Sequence, residues 1–268
     1  MTQKVKWGIL GVANIAVKKV IPAMQKGEWC EITGIASRDL SKAQTAAEQL
    51  QIPKAYGSYG ELILDPDIEA IYNPLPNNLH VEWTIKAAEA GKHVLCEKPI
   101  SMTVAEAVPL LSVRDNTGVK IEEAFMVRTH PQWVTTLNLI KEGAIGPVRA
   151  VEGHFSYNNQ DLKNIRNIRE TGGGGLMDIG CYMIFFARLI FNEEPKRVVS
   201  LIEEHPETKT DILTSALLEF PAGHATFTCG TRMVPYQRVQ IHGTEGRIEI
   251  QIPCNASLAE ACKVFRDN

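Results

Sequence analysis

Up to about residue 124 the chain alternates short apolar runs with longer stretches of helical spacing, and few folds accept that rhythm. The runs lie at 5–10, 32–36, 70–72, 93–96 and 120–124, and the helical stretches at 14–26, 40–50, 59–64, 80–90 and 104–116. Strands joined through helices make right-handed crossovers and a parallel sheet covered on both faces. Ligands of such sheets sit outside the C-terminal strand ends. The loops there supply candidates: Gly11 to Asn14, Ser37-Arg38, Pro74 to His80 and Glu97-Lys98-Pro99.

The rhythm then changes. A helix is expected at 131–143 and a strand at 148–157; a polar segment at 158–171 leads into four glycines, 172–175. An apolar helix follows at 176–191. It carries Asp178 and Arg188 and is shorter than the roughly 20 residues a bilayer requires, so it is a core helix and no membrane partner is expected. Strand-like runs at 197–203, 212–220, 225–231, 239–242 and 248–252 come in succession, which implies an antiparallel or mixed sheet. The last stretch, 258–268, has helical spacing. The expected organisation is a Rossmann domain over 1–124 and an α+β domain over 125–268, α/β in class.

A net charge of -3 offers no basic surface for nucleic acid. The six cysteines contain no CxxC pair, and the chain enters its first strand without a charged and apolar leader; both features imply reduced thiols and a cytoplasmic protein. The seven histidines lack metal-ligand spacing, and no metal is expected.

Gly11 follows the first strand where a dinucleotide fingerprint has its first glycine, while Ala13 and Ala16 occupy the second and third positions. Strand, tight turn and helix start together make a phosphate cradle, because unpaired N–H groups and the helix dipole favour an anion there. Ser37-Arg38 ends the second strand where NAD-binding chains usually carry an acidic residue. Asp39 comes late for that role, and a hydroxyl plus a guanidinium suits a 2′-phosphate, so NADP is preferred over NAD. Glu97-Lys98-Pro99 closes the strand at 93–96. The lysine's charge can polarise a hydroxyl, with the carboxylate beside it keeping the charged form. Asp178 and Tyr182 are four apart and share a helix face. Read singly, each has a structural alternative: Arg38 as a surface charge, Glu97-Lys98 as a solvated pair, Tyr182 as a core aromatic, Asp178 as a helix-dipole charge, and Asn77-Asn78 as caps for the helix that His80 opens.

Taken together these blocks run in a recognisable order: Gly-Val-Ala-Asn-Ile-Ala, Pro76 to His80, Ala-Gly-Lys-His-Val-Leu-Cys-Glu-Lys-Pro, Glu-Ala-Phe-Met, and the glycine run continuing to Asp178 and Tyr182. The chain resembles the Gfo/Idh/MocA oxidoreductase family, over nearly its whole length. The resemblance implies a second domain with a large open sheet whose exposed face makes a dimer, or part of a tetramer, and hydride exchange between nicotinamide and a sugar or polyol. It implies that Lys98 is the catalytic lysine, that Asp178 orients the substrate, and that Tyr182 stands where many relatives have histidine. It places Gly11, Val12, Ala13, Asn14, Ile15, Ser37, Arg38, Pro74, Asn77, His80, Glu97, Lys98 and Arg166 at the cofactor, Arg166 near the nicotinamide end. The activity implied is that of an aldose 1-dehydrogenase, for example on xylose or glucose. Alternatives are a trans-dihydrodiol or dicarbonyl oxidoreductase, or a non-catalytic NAD(P)-binding regulator. Family members run longer than this sequence, so a truncated second domain is expected.

Overall fold

The computed structural model describes residues 3–257 and 260–267. They form two compact units, one ending at Ala124 and one starting at Phe125.

In the first unit, β1 (Val5–Leu10) leads through a π-helical turn, Ala16–Val20, into α1 (Ile21–Gln25). Next come β2 (Cys30–Ala36), α2 (Leu40–Leu50), β3 (Lys54–Tyr56), α3 (Tyr59–Leu64) and β4 (Ala70–Asn73). The unit closes with α4 (His80–Glu89), β5 (His93–Cys96), α5 (Val104–Thr117) and β6 (Ile121–Glu123). The strands form one parallel sheet in the order β3-β2-β1-β4-β5-β6, the doubly wound arrangement. Strand alternation divides the core between the faces. Leu10, Ala36 and Ile71 pack with Leu62 and Ala87, while Ile9, Ile35 and Tyr72 pack with Ala16, Ile21 and Ala46.

The sequence reading missed β3. Its three residues hold the sheet edge because Lys54 and Tyr56, two apart on one face, both reach Asp65 at the end of α3. Lys54 Nζ lies 2.8 Å from Asp65 Oδ2 and 2.7 Å from Asp67 Oδ2, and the Tyr56 hydroxyl donates to Asp65. The Lys54 ammonium, then the Tyr56 hydroxyl, hold the Asp65 carboxyl down at about 2. Burial and this same carboxylate push Tyr56 up to about 12. A carboxyl whose pKa is depressed by folding stabilises the fold above its ordinary value, near 4, and that contribution fades as pH falls toward 2. Asp65→Asn is therefore expected to cost about 1–2 kcal/mol at neutral pH, after allowance for the half-exposed lysine, and to flatten acid unfolding between pH 4 and 2. Urea titrations across that range check it.

The second unit starts with α6 (Pro131–Lys141) and β7 (Val148–Asn158). A second π-helical turn, Leu176–Gly180, runs into α7 (Cys181–Phe191). Then follow β8 (Arg197–Glu204), β9 (Asp211–Glu219), β10 (His224–Gly230), β11 (Arg232–Gly243), β12 (Arg247–Ile250) and β13 (Val264–Asp267). The sheet order is β13-β12-β11-β7-β10-β9-β8; β7 and β10 are parallel and the other pairs antiparallel. One face carries α7, with Phe186 fully buried among Phe155, Phe227, Val239 and Ile241 and stacked on Trp133 at 4.0 Å. The stretch Arg169–Phe191 has the length and hydropathy of a membrane span, but it breaks at its glycines and its apolar face is this core. The other sheet face is open.

Two expectations need correction. The strand expected at 239–242 is the end of a twelve-residue strand, because β11 pairs along nearly all of β7. The helix expected at 258–268 is not formed by the described residues: 260–263 are irregular, Val264–Asp267 is a strand paired with β12, and Arg247 bonds Asp267 across the pair. An open sheet edge satisfied those backbone groups where an isolated helical turn would not. Leu258, Ala259 and Asn268 lie outside the described residues.

Candidate active site

Candidate groups occur in each unit. At the end of β1, Gly11 adopts φ +87° and donates its N–H to Ala36 O at 2.8 Å; a Cβ there would sit 3.1 Å from a methyl of Leu75. Conformation thus favours glycine there, and a side chain would also press on Leu75. The turn presents Val12, Asn14 and Ile15 outward, with Ala13 half-buried. Two exposed aliphatic side chains beside unpaired helix-start N–H groups fit a dinucleotide, whose phosphate and apolar parts need both. Asp39 has a structural task. It caps α2, accepting from Ser41 N at 3.0 Å and from the Ser41 hydroxyl at 2.6 Å, and that hydroxyl holds its carboxyl below the usual range. Arg38 remains exposed beside Ser37, whose Oγ accepts from Asp39 N at 3.2 Å.

The ends of β4 and β5 are laced together. Glu97 N donates to Asn73 O at 3.0 Å, the Tyr72 hydroxyl to Glu97 Oε1 at 2.6 Å, and Lys98 N to Glu97 Oε2 at 3.3 Å. The Lys98–Pro99 peptide is cis, and Ile100 N donates to Glu123 Oε1 at 2.7 Å. Pro74 is buried in the preceding loop, and Asn77 starts a 3₁₀ turn ahead of α4. Asn77 and Asn78 lie in that turn directly ahead of α4, whose N-cap residue is Leu79. His80, expected beside the cofactor, is instead 1% exposed with both ring nitrogens on backbone carbonyls.

In the second unit Asp178 lies on the π-helical turn. Its Oδ2 accepts from the Tyr157 hydroxyl at 2.7 Å and from Arg166 Nε at 3.0 Å. Burial, followed by the negative charge of Asp178, pushes the Tyr157 phenol above its ordinary range, so Tyr157 acts as a fixed donor. Arg166, expected at the nicotinamide end of the cofactor, is placed on this carboxylate. Tyr182, one turn beyond Asp178, is held edge-on to Phe125 at 5.4 Å, with Phe155 and Phe186 behind it. The glycine run meets another segment of the chain. Asp211 Oδ2 accepts from Leu176 N at 2.6 Å and from the Thr214 hydroxyl at 3.0 Å, and a Cβ on Gly174 would overlap the Asp211 carboxylate.

Sequence reasoning missed Tyr157 and Asp211. Strand parity could have found the first, since Val151, Gly153, Phe155 and Tyr157 fall on the helix-covered face of β7. Asp211 carried no local signal. A shallow trough lies on the open sheet face of the second unit, beside Glu152, His154, Ser215, Thr228, Arg238 and Gln240. None of the candidate groups lines it, so chemistry and not concavity marks the site.

Two family models match this chain: an oxidoreductase family with an NAD-binding Rossmann fold over residues 5–125, and the GFO/IDH/MocA C-terminal domain over residues 133–249. The fold and these groups thus define an NAD(P)-binding oxidoreductase. The chain belongs to the Gfo/Idh/MocA family. It is 38% identical to D-xylose 1-dehydrogenase (NADP(+)) 2 of Haloferax volcanii, over 96% of this chain and 79% of that one. It is 32% identical to the mouse (Mus musculus) trans-1,2-dihydrobenzene-1,2-diol dehydrogenase, over 92% of this chain and 74% of that one. Among solved structures, KijD10, a 3-ketoreductase from Actinomadura kijaniata in complex with NADP and TDP-benzene, superposes with a TM-score of 0.93 at 29% identity, over 99% of this chain and 82% of that one.

Proposed function

We propose that this oxidoreductase is an NADP-preferring dehydrogenase of a sugar or polyol, an aldose 1-dehydrogenase in type. The observation that carries the reading is the carboxylate of Asp178, locked by Tyr157 and Arg166 one turn ahead of Tyr182. The 38% identity to an NADP-dependent xylose dehydrogenase supports the substrate class. A carboxylate held at one oxygen by two donors accepts a substrate hydroxyl in a defined direction and excludes apolar substrates.

Gly11, Val12, Ala13, Asn14 and Ile15 would hold the pyrophosphate, Ser37 and Arg38 the 2′-phosphate, and Pro74, Asn77, Glu97 and Lys98 would line the nicotinamide side. The bound nicotinamide supplies hydride acceptance or donation. Tyr182 exchanges the proton of the reacting hydroxyl. Lys98 supplies positive charge that favours an oxyanion, and Asp178 fixes the substrate. A phenol with an ordinary pKa near 10 is a poor base at neutral pH, and a neighbouring ammonium makes it a better one. The open sheet face, with Leu217 and Thr226 exposed, is the surface we assign to homo-oligomerisation, and the six unbridged thiols accord with a cytoplasmic protein.

The test is a panel of aldoses, ketoses and polyols with NADP and NAD, followed at the NAD(P)H absorbance. Turnover of a pentose or hexose with NADP is expected; cofactor binding without turnover on any substrate would replace this reading with a regulator. Arg38→Ala is expected to raise KM for NADP about tenfold, the worth of one charge-assisted contact, and to change KM for NAD less than about threefold. Equal changes for both cofactors would remove Arg38 from the 2′-phosphate.

A further inference from the structure

His80 stands apart from the groups discussed so far, because its ring is spent wholly inside the first unit. Nδ1 lies 2.7 Å from Pro99 O and Nε2 lies 2.7 Å from Leu75 O, and the residue is 1% exposed. One carbonyl belongs to the loop after β4, the other to the loop after β5 that carries Lys98. The backbone of His80 is fixed as well. Asn73 Nδ2 donates to His80 O at 3.1 Å and to the Thr84 hydroxyl at 3.2 Å, so the ring has a rigid base at the start of α4. We propose that His80 is a positioning residue: by joining Pro99 O to Leu75 O it sets the turn from which Lys98 acts. This rests on the assignment of Lys98 above.

Other ties on that turn include Asn73 O on Glu97 N, the Tyr72 hydroxyl on Glu97 Oε1, Glu97 Oε2 on Lys98 N, and Glu123 on Ile100 N. The imidazole is the contact on the Pro99 carbonyl itself. A buried carbonyl robbed of its partner is costly, so the turn would move to find another. Two demands compete at the ring. Burial drives the imidazole toward its neutral form, and the two carbonyls favour the form with two N–H groups.

The two contacts can be separated by substitution. The amide nitrogen of asparagine falls near Nδ1 of histidine, and that of glutamine near Nε2. His80→Asn therefore keeps a donor for Pro99 O, and His80→Gln keeps one for Leu75 O, each without the ring's other contact. Hydrogen–deuterium exchange of the segment 97–103 is expected to stay within about threefold of wild type in H80N and to quicken about tenfold in H80Q, the worth of one hydrogen bond. In the active enzyme kcat follows the same order, while KM for NADP changes less than about threefold. Equal exchange in the two variants overturns the proposal, as does unequal exchange with equal kcat. The exchange arm needs no substrate, so a wild-type chain without turnover would sink the dehydrogenase reading and leave this one to be decided by exchange alone.

Discussion

Tyr182→Phe is expected to lower kcat about 10²- to 10⁴-fold and to leave NADPH affinity within about threefold. The magnitude is that of removing a general acid–base group. The substitution deletes one oxygen from a ring whose position is set by packing: Phe125 meets it edge-on, and Phe155 and Phe186 fix its tilt. Stopped-flow reduction of NADP with the best sugar of the panel, together with fluorescence titration of NADPH, separates chemistry from binding. Retained kcat would transfer the proton to another group. Asp178 is poorly placed for that role, since its Oδ2 already takes two donors.

The second large effect is on stability. Gly174 has φ +126°, and a Cβ there would overlap the Asp211 carboxylate. That carboxylate takes Leu176 N and the Thr214 hydroxyl, satisfying the start of the candidate helix. Gly174→Ala thus combines backbone strain with eviction of a charged cap, about 4 kcal/mol together. Gly143→Ala supplies the comparison: φ is +77° and the space is open, so only the strain of about 1–2 kcal/mol is paid. Urea unfolding of both variants tests the difference; similar losses would mean that Asp211 yields without cost.

Most of the first unit was legible in the chain, because local pattern and final environment agree there. The helix at 40–50 is legible in its Ala- and Gln-rich stretch with Ser41 near the start, and the strand at 93–96 in four residues flanked by Gly91 and Pro99. What escaped was decided at a distance. β3 exists because Lys54 and Tyr56 reach Asp65, and β13 because β12 offers an unpaired edge. The same holds at the site. Lys98, Asp178 and Tyr182 stand out by motif, but Tyr157, 21 residues from Asp178, is bound to it only through the fold. His80 stood out as well, and its motif pointed toward the cofactor while its ring turned inward. A motif fixes a residue's place on the chain; the partners of its polar atoms fix its work.

Both helices that follow a glycine turn in this molecule widen to a π-helical turn within their first residues, at Ala16–Val20 and at Leu176–Gly180. A π-helical turn is an α-helix carrying one residue too many. Each residue of an α-helix advances the helix by about 100°, so the surplus at 176–180 decides which side chains beyond it face the sheet. Removing one residue there would turn Phe186 and Ile190 off the core by that angle, or else turn Asp178 away from Tyr157. The turn thus works as a length-encoded vernier. This helix can exchange its side chains freely over evolutionary time, but it can scarcely gain or lose a single one.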